Sequence, residues 1–187
     1  LISYSKPTDS ISNDGIDNAQ ELVAFCARVS NPSNQLNTET SEKLINYLIN
    51  NAHWSPLEMV SACLEIETTR DIARQILRHR SFSFQEFSQR YANPVEDLEF
   101  VIREARLQDP KNRQNSINTD NEKIIEEWEQ MQSEVIDKAK EVYNWAIEND
   151  IAKEQARSVL PEGNTVSRIY MNGTLRSWIH SVSYTHL

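Results

Sequence analysis

Apolar side chains recur at steps of three and four residues along several stretches of the chain, which is the spacing of one helix face. The longest such stretch is 119–149, and its opposite face is acidic and is predicted to be solvated. Its apolar stripe consists of Ile124, Trp128, Met131, Val135, Ala139, Val142 and Ala146. Another helix begins after Asp17, which is a suitable N-cap. The pattern predicts helices over 18–30, 39–52, 69–80, 119–149, 151–159 and 174–183.

One stretch alternates instead. Residues 59–68 place Val60, Ala62, Leu64 and Ile66 on one face, which is typical of a half-buried strand. Shorter strands are predicted over 98–102 and 165–171, an irregular segment over 81–92 and a polar loop over 105–117. This order of elements predicts an α+β fold with helices in the majority. The length of 187 residues fits a single domain over 1–187.

The chain has only three glycines, so neither a G-x-G-x-x-G fingerprint nor a P-loop can be built. Side chains, turns and helix N-termini would have to hold any nucleotide. No apolar run approaches the roughly 20 residues of a membrane span, and no signal peptide is evident. Cys26 and Cys63 match neither a disulfide framework nor a metal-site spacing. We therefore expect a cytoplasmic protein without a metal site.

The formal net charge of −9 argues against nucleic acid or a membrane surface as a partner. Arginines nevertheless cluster within residues 68–91. Arg70 and Arg74 share one helix face, and carboxylates nearby in the sequence are their expected partners. Those carboxylates are Glu65, Glu67 and Asp71. A positive island in an acidic protein indicates a localised anion site.

The segment after this helix combines cations, hydroxyls and an amide. Arg78, His79 and Arg80 point in different directions, and such groups suit a phosphate and the edge of a uracil-like ring. The interleaved aromatic residues form either part of the core or a stacking surface for a flat ring. They are Phe82, Phe84, Phe87 and Tyr91. The residues alone thus indicate an anion or nucleotide site.

The stretch RHRSFSFQEFSQRY (78–91) resembles the signature of flavin-dependent thymidylate synthases, R-H-R-x-x-S-x-N-x-x-S-x-R. Six of its seven specified letters match. Gln85 is the exception, since the family usually has Asn there. Three further segments resemble family motifs in the same order. They are His53–Glu58 (H-x-S-P-x-E), Ala156–Pro161 (A-R-x-V-L-P) and Arg176–His180 (R-[SA]-[WL]-x-[HN]).

The resemblance implies an enzyme that forms dTMP from dUMP. Methylenetetrahydrofolate would supply the carbon, and NADPH would reduce a bound FAD that later delivers hydride. It also implies a homotetramer whose active sites draw on several subunits. The implied fold has a small, mostly antiparallel sheet and a long helix, and the absence of glycine-rich loops agrees with FAD held by side chains.

Site residues follow from the resemblance, position by position. The implied FAD ligands are His53, Ser55, Arg78, His79, Arg80, Glu86, Arg176 and His180. The implied dUMP ligands are Gln75, Arg78, Glu86, Ser88, Gln89, Arg90 and Arg157. Arg90 and Arg157 are the candidate catalytic groups, because guanidinium groups can stabilise negative charge that develops on the uracil ring. Ser88 has no evident general base and is interpreted as a ligand rather than a nucleophile.

The resemblance weakens near the C-terminus. Thr185 stands where the family has an Arg that binds and ionises the uracil, and Thr174 replaces a family Asn near FAD. These departures predict a truncated or altered member with an incomplete dUMP site. They also leave open a non-catalytic relative that binds nucleotide or flavin. An RNA-binding module is a weaker alternative, because the acidic balance opposes it.

Overall fold

The computed structural model describes residues 1–184. Within them lie eight α-helices: α1 (Asp9–Ser12), α2 (Ala19–Ala27), α3 (Ser41–Asn50), α4 (Arg70–Ile76), α5 (Pro94–Asp97), α6 (Glu122–Glu148), α7 (Lys153–Ala156) and α8 (Leu175–Tyr184). The strands are β1 (Ser3–Tyr4), β2 (Ser61–Thr69), β3 (Ser83–Glu86), β4 (Arg106–Gln108), β5 (Ser116–Asn118) and β6 (Val166–Thr174). Short 3-10 helices cover Pro32–Asn34, Ser55–Glu58 and Arg157–Val159.

Four strands form one sheet in the order β1-β2-β6-β3, and β4 and β5 form a separate antiparallel hairpin. β1 pairs with β2 in antiparallel register, with Ser3 opposite Cys63. The predicted α+β class, with a small antiparallel sheet and one long helix, is confirmed. Over the described residues, no helix has the length and apolar character to cross a membrane.

The chain forms two compact units, each with its own apolar core. Unit 1 comprises residues 1–66, 77–85 and 169–184, and unit 2 comprises 67–76 and 86–168. In unit 1, buried Val23, Leu48, Leu57 and Val60 pack together. In unit 2, Tyr143, Ala146, Ala156 and Leu160 do so. Burial of these side chains holds the elements that carry the predicted site residues.

Several predicted boundaries were wrong. Asn18, not Asp17, caps α2, because its side chain accepts the Glu21 amide proton. The predicted strand over 98–102 is a single bridge between Phe100 and Thr165. The predicted loop over 105–117 contains most of the β4–β5 hairpin, and the irregular segment over 81–92 contains β3. These strands are short and rich in polar side chains, so they lack the alternation of apolar and polar residues from which a strand is predicted.

The buried face of α6 also differs from the predicted apolar stripe. It consists of Gln132, Ile136, Ala139, Tyr143 and Ala146. Met131 and Val135 are instead exposed. Gln132 can be buried because its side-chain amide forms two hydrogen bonds with the backbone of Arg103. Its Oε1 accepts from the Arg103 amide and its Nε2 donates to the Arg103 carbonyl, each at 2.9 Å. A pattern that counts only apolar residues cannot find this face.

Candidate active site

Two arginines of α4 lie one turn apart in unit 2 and share a carboxylate. Arg74 donates from Nε to both oxygens of Glu162 at 2.9 and 3.0 Å. The buried Arg70 lies 3.5 Å from Glu86 and 3.9 Å from Glu162. Burial lowers the pKa of the Arg70 guanidinium, while the charge of Glu86 acts in the opposite direction.

For two of the three expected partners of these arginines, Glu67 and Asp71, the prediction was wrong. Glu67 pairs with Arg168 at 2.6 Å, and Asp71 pairs with Arg103 at 2.9 Å. The actual partner Glu162 lies 88 residues from Arg74 in the sequence. Such a pairing cannot be read from helical spacing, which relates only neighbours along one helix.

A polar cavity of about 400 Å³ opens beside this cluster in unit 2. Its charged and amide lining consists of Arg70, Arg74, Gln89, Glu154, Arg157 and Glu162. Gln89 is 3% exposed, and its Nε2 makes no hydrogen bond among the described residues. Burying an amide without a partner costs about 1–3 kcal/mol. An orphaned donor in a polar cavity is what a site built for a polar ligand leaves when that ligand is absent.

An ion pair in unit 2 orients Arg90, one of the two predicted phosphate ligands. Arg90 Nη2 lies 3.1 Å from Glu154, and both side chains are largely exposed. The backbone amide of Arg90 donates to Ser88 Oγ at 3.4 Å. Within residues 1–184, no histidine or carboxylate hydrogen-bonds to Ser88, which fits a ligand better than a nucleophile.

Two other predicted dUMP ligands in unit 2 are differently placed. Glu86 accepts from Ser167 Oγ at 3.1 Å besides pairing with Arg70. Gln75 is exposed on α4. Arg78, the remaining predicted dUMP ligand, belongs to unit 1.

The predicted flavin ligands other than Glu86 all lie in unit 1. Arg176 ion-pairs with Glu58, which ends the 3-10 turn that begins at Ser55. The His180 ring lies 4.6 Å from that of Trp54, and its buried Nε2 has no hydrogen-bond partner among the described residues. The His180 Nε2 atom is therefore available in unit 1 for a hydrogen bond with a bound group.

Two of the remaining flavin candidates are histidines whose rings contact aromatic side chains. The His53 ring contacts Tyr47 edge-on at 5.9 Å, and the His79 ring contacts Phe82 at 6.0 Å. The half-buried Phe82 ring packs on Trp178 at 4.7 Å. The exposed candidates are His53, Ser55, Arg78 and Arg80. Hydroxyl, guanidinium and imidazole groups suit the phosphates of a dinucleotide.

The predicted site residues omit four charged residues of the unit 2 cavity. They are Arg70 and Arg74, which the sequence placed in the basic cluster, and Glu154 and Glu162. Glu154 and Glu162 flank the Ala156–Pro161 motif. This proximity to the motif was the only feature of the sequence that could have indicated a place for them in the site. Thr174 accepts from the Ser177 amide at 3.3 Å and so supports the start of α8. Thr185, where the resemblance predicts that a family Arg is missing, lies outside the described residues.

Comparison with known proteins gives consistent matches over nearly the whole chain. The family model "Thymidylate synthase complementing protein" matches residues 13–185. A flavin-dependent thymidylate synthase of Synechocystis sp. is 50% identical over 183 residues, covering 98% of this chain and 82% of that relative. A probable flavin-dependent thymidylate synthase of Paramecium bursaria Chlorella virus 1 is 48% identical over 182 residues, covering 97% and 81%.

A solved structure agrees with these matches. The UMP/dUMP methylase of Streptomyces cacaoi, bound with 5-Br dUMP, superposes with a TM-score of 0.73 at 26% identity. The match covers 96% of this chain and 73% of that one. Together with the family model and the two relatives, it establishes that the chain belongs to the flavin-dependent thymidylate synthase family.

Proposed function

We propose that this chain forms dTMP from dUMP, with methylenetetrahydrofolate as the carbon donor and NADPH as the reductant of a bound FAD. The observation that carries this proposal is the unit 2 cavity, in which arginines surround the buried, unpartnered amide of Gln89. A uracil edge offers carbonyl acceptors to such an amide, and a phosphate offers oxygens to guanidinium groups.

Seven residues are proposed to bind dUMP. They are Gln75, Arg78, Glu86, Ser88, Gln89, Arg90 and Arg157. Ser88 and Arg90 suit the phosphate, and its binding would replace Glu154 as the anion beside Arg90. Arg157 lines the cavity and stabilises negative charge as it develops on the ring. In the balanced reaction, the methylene carbon bonds to uracil C5 as its bonds to the two folate nitrogens break. The C5 proton leaves, the folate nitrogens take up two protons so that tetrahydrofolate is released, and one hydride that originates from NADPH completes the methyl group.

FAD would be held mainly by unit 1. The proposed ligands are His53, Ser55, Arg78, His79, Arg80, Glu86, Arg176 and His180. The flavin supplies the hydride that completes the methyl group. Arg78 and Arg80 offer charge-assisted bonds to its phosphates, and His180 Nε2 offers the unpartnered ring nitrogen.

Neither cysteine takes part in this proposal. Burial raises the pKa of the Cys26 thiol, which lowers the fraction of reactive thiolate. Cys63 lies on β2 opposite Ser3. Activation of uracil would therefore depend on electrostatic stabilisation by arginines and not on addition of a thiolate.

A homotetramer with shared active sites, working in the cytoplasm, completes the proposal. Exposed apolar side chains of α6 support self-association, because contiguous exposed apolar surface favours protein contacts. They are Ile124, Trp128, Met131, Val135 and Trp145. Light scattering of the purified chain tests this: a mass of four chains is expected, and a monomer at micromolar concentration would contradict it.

The direct test of the chemistry is NADPH oxidation by the FAD-loaded chain with and without dUMP. Oxidation that depends on dUMP supports the synthase, with Arg157→Ala lowering its rate about a hundredfold. The alternative, a non-catalytic nucleotide- or flavin-binding relative, predicts that FAD and dUMP bind but that dUMP does not accelerate oxidation.

A further inference from the structure

Unit 1 contains a second cavity, of about 500 Å³, beside the first turns of α3, and its lining is more apolar than polar. Arg28, the C-cap of α2, lies in its wall and is only 7% exposed. Its guanidinium donates to the Asn37 carbonyl and, at 2.8 Å, to Thr40 Oγ1. Both acceptors are neutral. Over residues 1–184, no carboxylate forms an ion pair with Arg28.

A buried cation with only neutral partners is unusual, because burying an unpaired charge costs several kcal/mol. A guanidinium has five N–H donors, and the two bonds to Asn37 and Thr40 leave others available. An oxyanion in the cavity would supply the missing negative charge.

Other groups around the cavity favour an anion as well. Lys43 adds a second positive charge, and the lining also includes the polar residues Ser30 and Asn31. Thr40 is the N-cap of α3, but its side chain makes no capping bond. The helix dipole thus adds partial positive charge where donors already converge.

The opposite wall is apolar, formed by Ala27, Leu44 and Leu48, with Tyr47 at the edge. Tyr47 also contacts His53, a proposed flavin ligand, ring to ring. The cavity thus begins one side chain away from the proposed flavin site of unit 1. A ligand with a flat ring at Tyr47 and an anionic group at Arg28 would fit both walls.

We propose that this cavity binds the oxyanion of a co-substrate through Arg28 and Lys43. The inference rests on the proposed function for its choice of ligands. Two of them carry the required chemistry: the carboxylates of the folate glutamate tail and the 2′-phosphate of NADPH. Both place a negative group at a distance from the ring system that reacts.

Direct binding to the purified full chain separates the two sources. The probes are p-aminobenzoyl-diglutamate for the folate tail and 2′,5′-ADP for the phosphate, measured by calorimetry. One probe is expected to bind. Lys43→Met should weaken that probe at least about tenfold, and Arg28→Lys should weaken it too, since Lys lacks the planar fork. Lys111→Met, which removes an exposed charge from the hairpin loop, is the matched control and should change nothing.

Calorimetry with dUMP on the same proteins separates this inference from the proposed function. If dUMP binds but neither probe does, or if Lys43→Met leaves probe binding unchanged, the anion site is wrong and the dUMP site stands. If the probe binds in a Lys43-dependent way but dUMP does not bind, the anion site stands and the proposed function fails.

Discussion

At the scale of single residues, the most informative groups are buried polar atoms without partners. Gln89 Nε2 in unit 2 and His180 Nε2 in unit 1 both belong to positions named from sequence motifs. Each lacks a protein partner although it is buried. Folding alone does not explain such atoms, since an unmade bond lowers stability. The proposed binding would explain these two atoms, because the ligand would supply the partner.

Replacement of Gln89 by Met should separate binding from stability. Gln89→Met keeps the length of the side chain and removes the unpartnered donor. We expect dUMP affinity to fall about tenfold or more. The free energy of unfolding should stay the same or rise, because a buried unmade hydrogen bond disappears. Calorimetry with dUMP and urea unfolding measure the two effects.

Gln155→Met is the matched control for this substitution, since Gln155 is exposed in the same unit. It should leave both quantities unchanged. A Gln89→Met protein that binds dUMP normally but unfolds more easily would mean that Gln89 is structural.

The carboxylate of Asp71 provides a pH test. Burial alone would raise its pKa, but hydrogen bonds from Thr69 and the Ile72 amide, with the charge of Arg103, lower it overall. A lowered pKa in the folded state stabilises the protein above the ordinary value of 3.8, and this contribution disappears as pH falls through the lowered value. Asp71→Asn should therefore reduce the free energy of unfolding at pH 5–7 by at most about 1 kcal/mol, because the pair is half-exposed.

Urea unfolding of both proteins between pH 3 and 7 measures this difference. The free energies of unfolding of the two proteins should converge as the pH falls below 3.8. A difference that stays constant over the whole range would show that the carboxylate charge is not responsible.

At the scale of elements, the end of α3 determines where the His53 turn begins. His53 N bonds to Leu48 O at 2.8 Å, and Ala52 N bonds to Ile49 O at 3.1 Å. This is a Schellman ending, in which the residue after the cap has a positive φ and is usually Gly. In α3 the residue after the cap is Ala52, and its φ is 55°. Asp150 ends α6 in the same way at φ 59°.

Ala52→Gly should therefore stabilise the protein. Removal of the Cβ relieves the strain of the left-handed backbone, and the gain in free energy of unfolding should be about 0.5–1 kcal/mol. Chemical denaturation measures it. A loss of stability would contradict the strain argument.

Gly173 on β6 should not accept a side chain. A Cβ placed there would lie 2.6 Å from Cε1 of Phe82, whose ring is held against Trp178. Gly173→Ala should cost about 1–3 kcal/mol and reduce the amount of FAD retained, because Phe82 also contacts His79. Gly163→Ala is the control, since nothing lies within 4 Å of its Cβ. Equal stability of the two variants would exclude the packing explanation.

The sequence predicted these elements unevenly, for physical reasons. Long periodic segments such as α6 and the alternating β2 were found, because many residues repeat one signal. The buried face of α6 was missed, because Gln132 is buried through bonds to the distant backbone of Arg103. The motif positions were found by resemblance, whereas the pairing of Arg74 with Glu162 depends on the tertiary fold.

At the scale of the whole molecule, each compact unit carries its own core and its own group of site residues. The proposed flavin ligands other than Glu86 belong to unit 1, and the proposed dUMP ligands other than Arg78 belong to unit 2. The signature over residues 78–91 supplies residues to both units, since the boundary falls between Gln85 and Glu86. One continuous motif thus contains proposed ligands of both FAD and dUMP.

The most direct test of the account is whether dTMP forms. The chain is incubated with FAD, NADPH, methylenetetrahydrofolate and dUMP, and dTMP is measured by mass spectrometry. We predict that dTMP forms in the complete mixture and that none forms when any one component is omitted. We also predict that the Thr185→Arg variant forms dTMP at a higher rate. If both proteins retain FAD and bind dUMP but neither forms dTMP, the proposed synthase activity is wrong and the non-catalytic alternative is correct.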